Sequence, residues 1–595
     1  MKKLKYTCCS LLAISPVLGL NAGKKVAHET VLPNIVLIIT DDQGWGDVQA
    51  NGNALIHTPV LNSLLNSSAV FERFYATPLS ATTRASLLTG RYHLRTGSIF
   101  VQSGLENMNP EETTIPELLK EVGYSTGCFG KWHNGAYFPY SPNGQGFDEF
   151  LGFTSGHWAN YFDPELQHNE KRTQGKGYIT DIFTDAALRF IEKNKKRPFF
   201  CYVPYNAPHS PFQVPDQYFD KYDQSLPIKN ATERAIVASV YGMVENVDYN
   251  IGRIIQRLDE LQLRENTIII FLSDNGPALK GVERFNGSMR GSKGEVHEGG
   301  VRVPCLINWK NTIPSGKISQ MASVIDLFPT IQDICNIKRT HSTFPVDGVS
   351  LKNNLFDPKA GLPKRYLFTH RYTGKLSPVT GSLRTGDLCL TVVKDSILLF
   401  DLAKDPSQKR NIYDENNPGH LTLLLNYQNW FKETSQTINS QVLVPIGYEN
   451  APEVRIAATD GKLHGGLKIH GAPNDNWVNG FENISDSLCI DIDVRRKGKY
   501  QFEIEYATVG YNQNILIGIE CNNSTISRPL PPFLSKHLPN HDRVDRFPAA
   551  YPQTWGRLKA GKMKLSEGKY RLKVYVTNAE SPTNIQLRRI LLTNL

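Results

Sequence analysis

The sequence predicts an α/β protein: a mostly parallel sheet flanked by helices, then a small antiparallel α+β segment, then a C-terminal β-sandwich. Three observations carry this. The runs at residues 34–40, 199–203 and 267–272 are short, continuous and β-branched, as strands buried on both faces of a parallel sheet are. Between the second and third runs, Ile236, Val240, Val244, Val247, Ile251, Ile254, Leu258 and Leu261 recur at spacings of three and four, the apolar stripe of a long helix. Strands alternating with helices imply a mostly parallel sheet. After about residue 445, short strands alternate with Gly and Asn turns, at 488–494, 500–506, 515–520, 570–576 and 585–592.

The elements run in order along the chain. Lys2, Lys3 and Lys5 precede an apolar stretch at residues 11–20, then Leu20-Asn21-Ala22. Charge, apolar run and small residue in that order read as a secretory signal peptide over residues 1–22, cleaved after Ala22. Its removal lowers the formal charge from +9 to +6. Cys8 and Cys9 lie before the apolar stretch, where a lipid-anchor cysteine would not sit, so the expectation is an exported soluble protein, periplasmic or secreted. Residues 23–365 form the expected catalytic α/β domain. Residues 366–444 form a subdomain, with two short antiparallel strands within 384–400 and a helix at 421–434. Residues 445–595 form the appended β-sandwich.

Composition excludes several classes. Of the 595 residues, 40% are hydrophobic and 21% charged, which argues against a disordered chain or a coiled coil. After the N-terminus no apolar run is long enough to span a membrane. The positive charge is too diffuse to argue for nucleic acid but suits an anionic substrate. The seven cysteines beyond Cys9 are scattered, with no C-x-x-C pair, so neither a zinc knuckle nor a disulfide scaffold is indicated.

The residues just beyond each strand carry the chemistry. The first run leads into Asp41-Asp42, the second reaches Pro208-His209, and the third ends at Asp274-Asn275. In open α/β sheets, ligands bind outside the carboxyl ends of the strands. Asp41, Asp42, Asp274 and Asn275 are hard oxygen donors, suited to Ca²⁺ or Mg²⁺ rather than zinc. Either pair alone is usually a turn or a helix cap; placement of both at strand ends favours a metal.

The segment Ser80-Ala81-Thr82-Thr83-Arg84, with Thr89-Gly90-Arg91, resembles the signature of the type I, formylglycine-dependent sulfatases of the alkaline phosphatase-like superfamily. In that signature the first residue is Cys or Ser; Thr82 and Thr83 stand where the usual pattern has Pro and Ser. The resemblance runs over most of residues 33–440. It includes His57-Thr58-Pro59, Gly130-Lys131-Trp132-His133, Asn206-Ala207-Pro208-His209, Ser273-Asp274-Asn275-Gly276 and the segment from Arg290 through Lys293 to Arg302. So many elements in one order exceed chance, where any one would be weak.

The resemblance implies the alkaline phosphatase-like fold and the hydrolysis of a carbohydrate sulfate ester through a formylglycine hydrate and a sulfo-enzyme intermediate. It implies that Ser80 is modified to formylglycine, by an anaerobic maturation enzyme of the radical type before export. It further implies a metal, Ca²⁺ ahead of Mg²⁺, held by Asp41, Asp42, Asp274, Asn275 and modified Ser80. Arg84, Lys131 and Lys293 would offset negative charge, His209 would protonate the leaving oxygen, and His133 would accept the second hydroxyl proton. His157, in the aromatic cluster from Gly156 to Asp163, is a candidate substrate contact, with an ordinary packed loop as the equal alternative. The expected partner is a sulfated carbohydrate, of mucin or glycosaminoglycan type, with no nucleic acid and no membrane span. The rivals are a phosphodiesterase or phosphonate hydrolase of the same superfamily, and an inactive glycan-binding relative.

Overall fold

The computed structural model describes residues 32–279, 281–338, 344–436, 443–471, 476–509, 515–546, 552–577 and 585–595. The expected signal peptide lies outside the described residues.

Five parallel strands form the centre of a ten-stranded sheet: β1 (Asn34–Thr40), β2 (Ser125–Lys131), β3 (Glu149–Phe153), β4 (Phe199–Pro204) and β5 (Thr267–Ser273). Across the sheet they lie in the order β5, β1, β4, β2, β3. Antiparallel strands flank them, Cys305–Trp309 beside β5 and Glu165–His168 beside β3. The apolar side chains of β1, Ile35 to Ile39, are all at 0% exposure. Each contributes about 1.5–3 kcal/mol by full burial. Three of the helices bear on the site and its support: α1 (Ser80–Thr89), α2 (Ile179–Asn194) and α3 (Ala231–Glu260). The apolar stripe read at 236–261 follows the buried face of α3, which is capped by Asn230, whose side chain accepts from the N–H groups of Thr232 and Glu233.

Register sets the site. Thr40 lies opposite Ser273, so Asp41 and Asp274 leave the sheet side by side, and the Asp274 N–H donates to the Thr40 carbonyl at 3.0 Å. Lys131 ends β2, two strands away.

Beyond this body, four antiparallel strands from Leu367 to Asp401 pack with the helix Pro418–Thr434. From residue 444 onward two mostly antiparallel sheets enclose one apolar core that includes Ile446, Ile492, Phe502, Val574 and Ile590. The seven cysteines among the described residues are buried free thiols.

The β-rich unit is tied to the catalytic body. Glu505, 2% exposed, accepts from Arg172 of the body at 2.6 Å and from Arg557 of its own unit at 3.0 Å. Gln213 donates to Asp542 at 2.7 Å, and the Arg543 N–H donates to the Phe212 carbonyl at 2.8 Å. Arg546 pairs with Asp542 at 2.7 Å, and Arg543 with Asp216.

Candidate active site

Ser80 is the first residue of α1, and the cap position is Leu79, which makes no side-chain cap bond. The Ser80 hydroxyl is therefore not spent on capping. It lies 2.9 Å from His133 Nδ1 and accepts from Lys131 Nζ at 3.4 Å. His133 Nε2 lies 2.9 Å from the Val101 carbonyl, which can only accept. That contact places the imidazole proton on Nε2 and leaves Nδ1 bare toward the Ser80 hydroxyl. Burial, and then the Lys131 charge, holds His133 well below its ordinary pKa, so it is a neutral base.

Thr82 stands at the third position of the helix. A proline there costs no intrahelical bond, since the first-turn N–H groups have no helical acceptor. Thr82 instead spends its hydroxyl on the Leu79 carbonyl at 2.9 Å.

Asp42 and His133 both adopt positive φ, at 65° and 68°. Such conformations are uncommon outside glycine and concentrate at functional positions. Gly156 makes room beside His133: a Cβ there would fall 2.1 Å from His133 Nε2.

The acidic and cationic groups interlock. Lys131 Nζ donates to Asp41 Oδ2 at 2.6 Å, Lys293 Nζ to Asp42 Oδ1 at 2.6 Å, and Arg84 Nη2 to Asp274 Oδ2 at 2.8 Å. Arg84 Nη1 donates to the Lys131 carbonyl at 3.1 Å. Burial alone would raise Asp41 and Asp42, but Lys131 for the first and Lys293 for the second hold both below the usual carboxylate range. His209 sits with Nε2 at 3.8 Å from Asp42 Oδ2, while its Nδ1 donates to the Ser210 carbonyl at 2.6 Å. Burial, and then Lys293, lowers it to about 4.

A cation fits this donor set. Asp41 Oδ1 and Asn275 Oδ1 are buried acceptors with no hydrogen-bond partner. Buried acceptors without donors are costly and rare, so a ligand is expected there. Ligand atoms of Asp41, Asp42 and His209 lie within 4.8 Å of one another. The oxygens are hard donors, as Ca²⁺ and Mg²⁺ require.

Ser80, Arg84, Lys131, His133, His209, Lys293, Asp41, Asp42, Asp274 and Asn275 thus meet at one sheet edge. His157 lines the same cavity, its ring centroid 5.4 Å from that of His209. Tyr161 departs from the substrate-facing role expected of the aromatic cluster: it is 1% exposed, and its hydroxyl donates to the carbonyls of His209 and Ser210. It positions the histidine loop from beneath. The role of the Val101 carbonyl is invisible in the sequence, because a main-chain acceptor leaves no side-chain signal.

A family profile described as Sulfatase matches residues 33–337. The chain belongs to the sulfatase family. It is therefore a sulfuric ester hydrolase, with the α/β architecture of the alkaline phosphatase-like superfamily. The uncharacterized sulfatase YdeN of Escherichia coli (strain K12) is 31% identical to this sulfatase over 387 residues, 56% of this chain and 68% of its own. N-acetylgalactosamine-6-sulfatase of Canis lupus familiaris is 31% identical over 366 residues, covering 56% and 67%. Among solved structures, Ps i-CgsB in complex with k-i-k-neocarrahexaose superposes with a TM-score of 0.62 at 31% identity, covering 69% of this sulfatase and 94% of that chain. No helix among the described residues is long and apolar enough to cross a membrane.

Proposed function

We propose that this sulfatase hydrolyses a sulfate ester on a carbohydrate and that Ser80, converted to formylglycine, is its nucleophilic position. The observation that carries the reading is the Ser80 contact set: a neutral imidazole nitrogen at 2.9 Å and an ammonium at 3.4 Å, at the N-terminus of a buried helix. That helix end favours an anion.

Formylglycine, as its hydrate, would supply the attacking oxygen, and a divalent cation, Ca²⁺ ahead of Mg²⁺, would supply Lewis acidity toward a sulfate oxygen. Asp41, Asp42, Asp274 and Asn275 would hold the cation, together with the modified residue 80. Arg84, fully buried and fixed by Asp274 and the Lys131 carbonyl, presents a preorganised positive charge at the first turn of α1. Lys131 and Lys293 meet the sulfate oxygens as point charges. His209 Nε2, beside Lys293, would protonate the departing sugar oxygen, which as an alkoxide is a poor leaving group; because the free imidazole is neutral with its proton on Nδ1, Nε2 would have to take up that proton as the anionic ester binds. His133 Nδ1 accepts a proton from the oxygen on residue 80.

The three carboxylates and three cations of the site sum to zero. A dication is then offset by the two charges of released sulfate, so each turn of the reaction stays near neutrality.

Carbohydrate as the substrate class is supported by N-acetylgalactosamine-6-sulfatase and by the saccharide held by Ps i-CgsB. Mucin-type O-glycans and glycosaminoglycan fragments are the proposed sources. Export to the periplasm or beyond, after maturation by an anaerobic radical enzyme, completes the reading.

The test is sulfate release from a panel of sulfated sugars by enzyme purified from a host with serine-type maturation. Release that is lost in Asp274→Ala supports the reading. Activity retained in Asp274→Ala refutes the assigned cation site, and no release from any sulfated sugar refutes the substrate class.

A further inference from the structure

The cavity above Ser80 has a volume of about 500 Å³, within the range of small-ligand sites. Ser80, His133, His209 and Lys293 line one side, and Glu453, Asp460 and Arg589 of the C-terminal β unit line the other. The appended unit therefore forms a wall of the cleft.

Two loops of the catalytic body reach that wall. The first carries Val101, whose carbonyl fixes His133, and five residues later Glu106. Glu106 lines the cavity, yet its Oε2 is buried without a hydrogen-bond partner. Burial, and then the charge of Asp460, raises the Glu106 carboxyl to about 7, so near neutrality it can both donate and accept. The second loop carries His133 and then Tyr137, whose hydroxyl donates to Asp460 Oδ2 at 2.7 Å. Tyr137 packs on the apolar core of the β unit, and the Phe138 ring lies 4.8 Å from that of Tyr448. The β unit thus clamps the segment just after the base.

We propose that Glu106, Tyr137 and Asp460 form a sugar-recognition site that binds hydroxyl groups of the ring next to the sulfated position, and that the β unit thereby sets substrate choice. This rests on the sulfatase reading of the same cavity. The two carboxyl groups accept from sugar hydroxyls, and the tyrosine ring gives a flat apolar edge. Arg455 and Arg589 of the same wall are ion-paired, to Glu453 at 2.6 Å and Glu505 at 3.4 Å.

The experiment uses full-length matured enzyme and the variants Asp460→Asn and Glu106→Gln, both near-isosteric. The probes are a 6-O-sulfated galactose–N-acetylglucosamine disaccharide and 4-nitrophenyl sulfate, which has no sugar hydroxyls. The expected result is a KM for the disaccharide raised about tenfold, the value of one charge-assisted hydrogen bond, with kcat little changed. The KM for 4-nitrophenyl sulfate stays as in the parent. Equal effects on both probes, or an unchanged disaccharide KM, overturns the proposal. If the parent cleaves neither probe nor any other sulfated sugar of the panel, the proposed function fails instead. The cluster is then judged by calorimetric titration of the unmodified Ser80 protein with the disaccharide: affinity weakened about tenfold by Asp460→Asn supports it, and equal affinity, or no binding by the parent, refutes it.

Discussion

Replacing Lys131 by methionine tests how the charges of the site are balanced. The Lys131 ammonium is 1% exposed and lies 2.6 Å from Asp41, itself 1% exposed. Methionine keeps most of the volume and removes the charge, so a buried carboxylate loses its main counter-ion. Breaking a buried pair this way costs about 3–5 kcal/mol. The compact unit Pro33–Leu595 melts with an entropy of about 1.2 kcal/mol/K at the usual value per residue. The melting temperature should then fall by roughly 3–4 °C in EDTA. Adding Ca²⁺ should close much of that gap, because the cation restores positive charge beside Asp41. The assay is differential scanning fluorimetry of parent and variant, with EDTA and with Ca²⁺. An unchanged melting temperature in EDTA, or a Ca²⁺ shift no larger in the variant than in the parent, would refute the charge-balance reasoning.

Three other outcomes are expected. His209→Ala should lower kcat on a sugar sulfate by about 10²–10⁴-fold but far less on 4-nitrophenyl sulfate, whose phenolate leaves without a proton; parallel losses on both would argue for a structural role. Gly156→Ala should displace the His133 ring, since the new Cβ would fall 2.1 Å from Nε2, and so reduce kcat while the fold remains intact by circular dichroism. Glu505→Gln should destabilise the protein at pH 7 by about 3 kcal/mol. Burial opposes ionisation of Glu505, but Arg589 and Arg172 hold it at about 2. A depressed carboxyl stabilises above its unfolded value, so the difference between parent and variant should shrink as pH falls from about 4.5 toward 2. Urea unfolding at several pH values measures it.

That Asp41, Asp42, Asp274, Asn275, His133, His209 and Ser80 belong to one cluster was legible because each sits at the end of a β-branched run or inside a fixed local motif. The strands β2 and β3 were not. Their sequences contain Gly127, Gly130 and Gly152, which interrupt the β-branched pattern of a buried strand, yet the glycines let neighbouring backbones approach. A Cβ on Gly152 would lie 1.8 Å from the Gly130 carbonyl oxygen. Tyr161 looked like a substrate-facing aromatic because its neighbours are aromatic and polar, but burial and its hydroxyl bonds assign it to support. The contact of Tyr137 with Asp460 joins residues 323 apart in sequence, and no local pattern announces such a pair. The acidic turn at Ala458–Asp460 gains meaning only when the β unit docks on the catalytic body.

The proposed chemistry turns on residue 80 as the nucleophilic position of a formylglycine enzyme acting on a sulfated glycan. Peptide mass spectrometry of the segment containing Ser80, from protein made in its native host, probes that role at its source when paired with sulfate release from the same sample. The expected peptide is two hydrogens lighter than the serine form, with desulfation that disappears in Ser80→Ala. Unmodified serine in a sample that still releases sulfate, or glycan binding without any release, would contradict it.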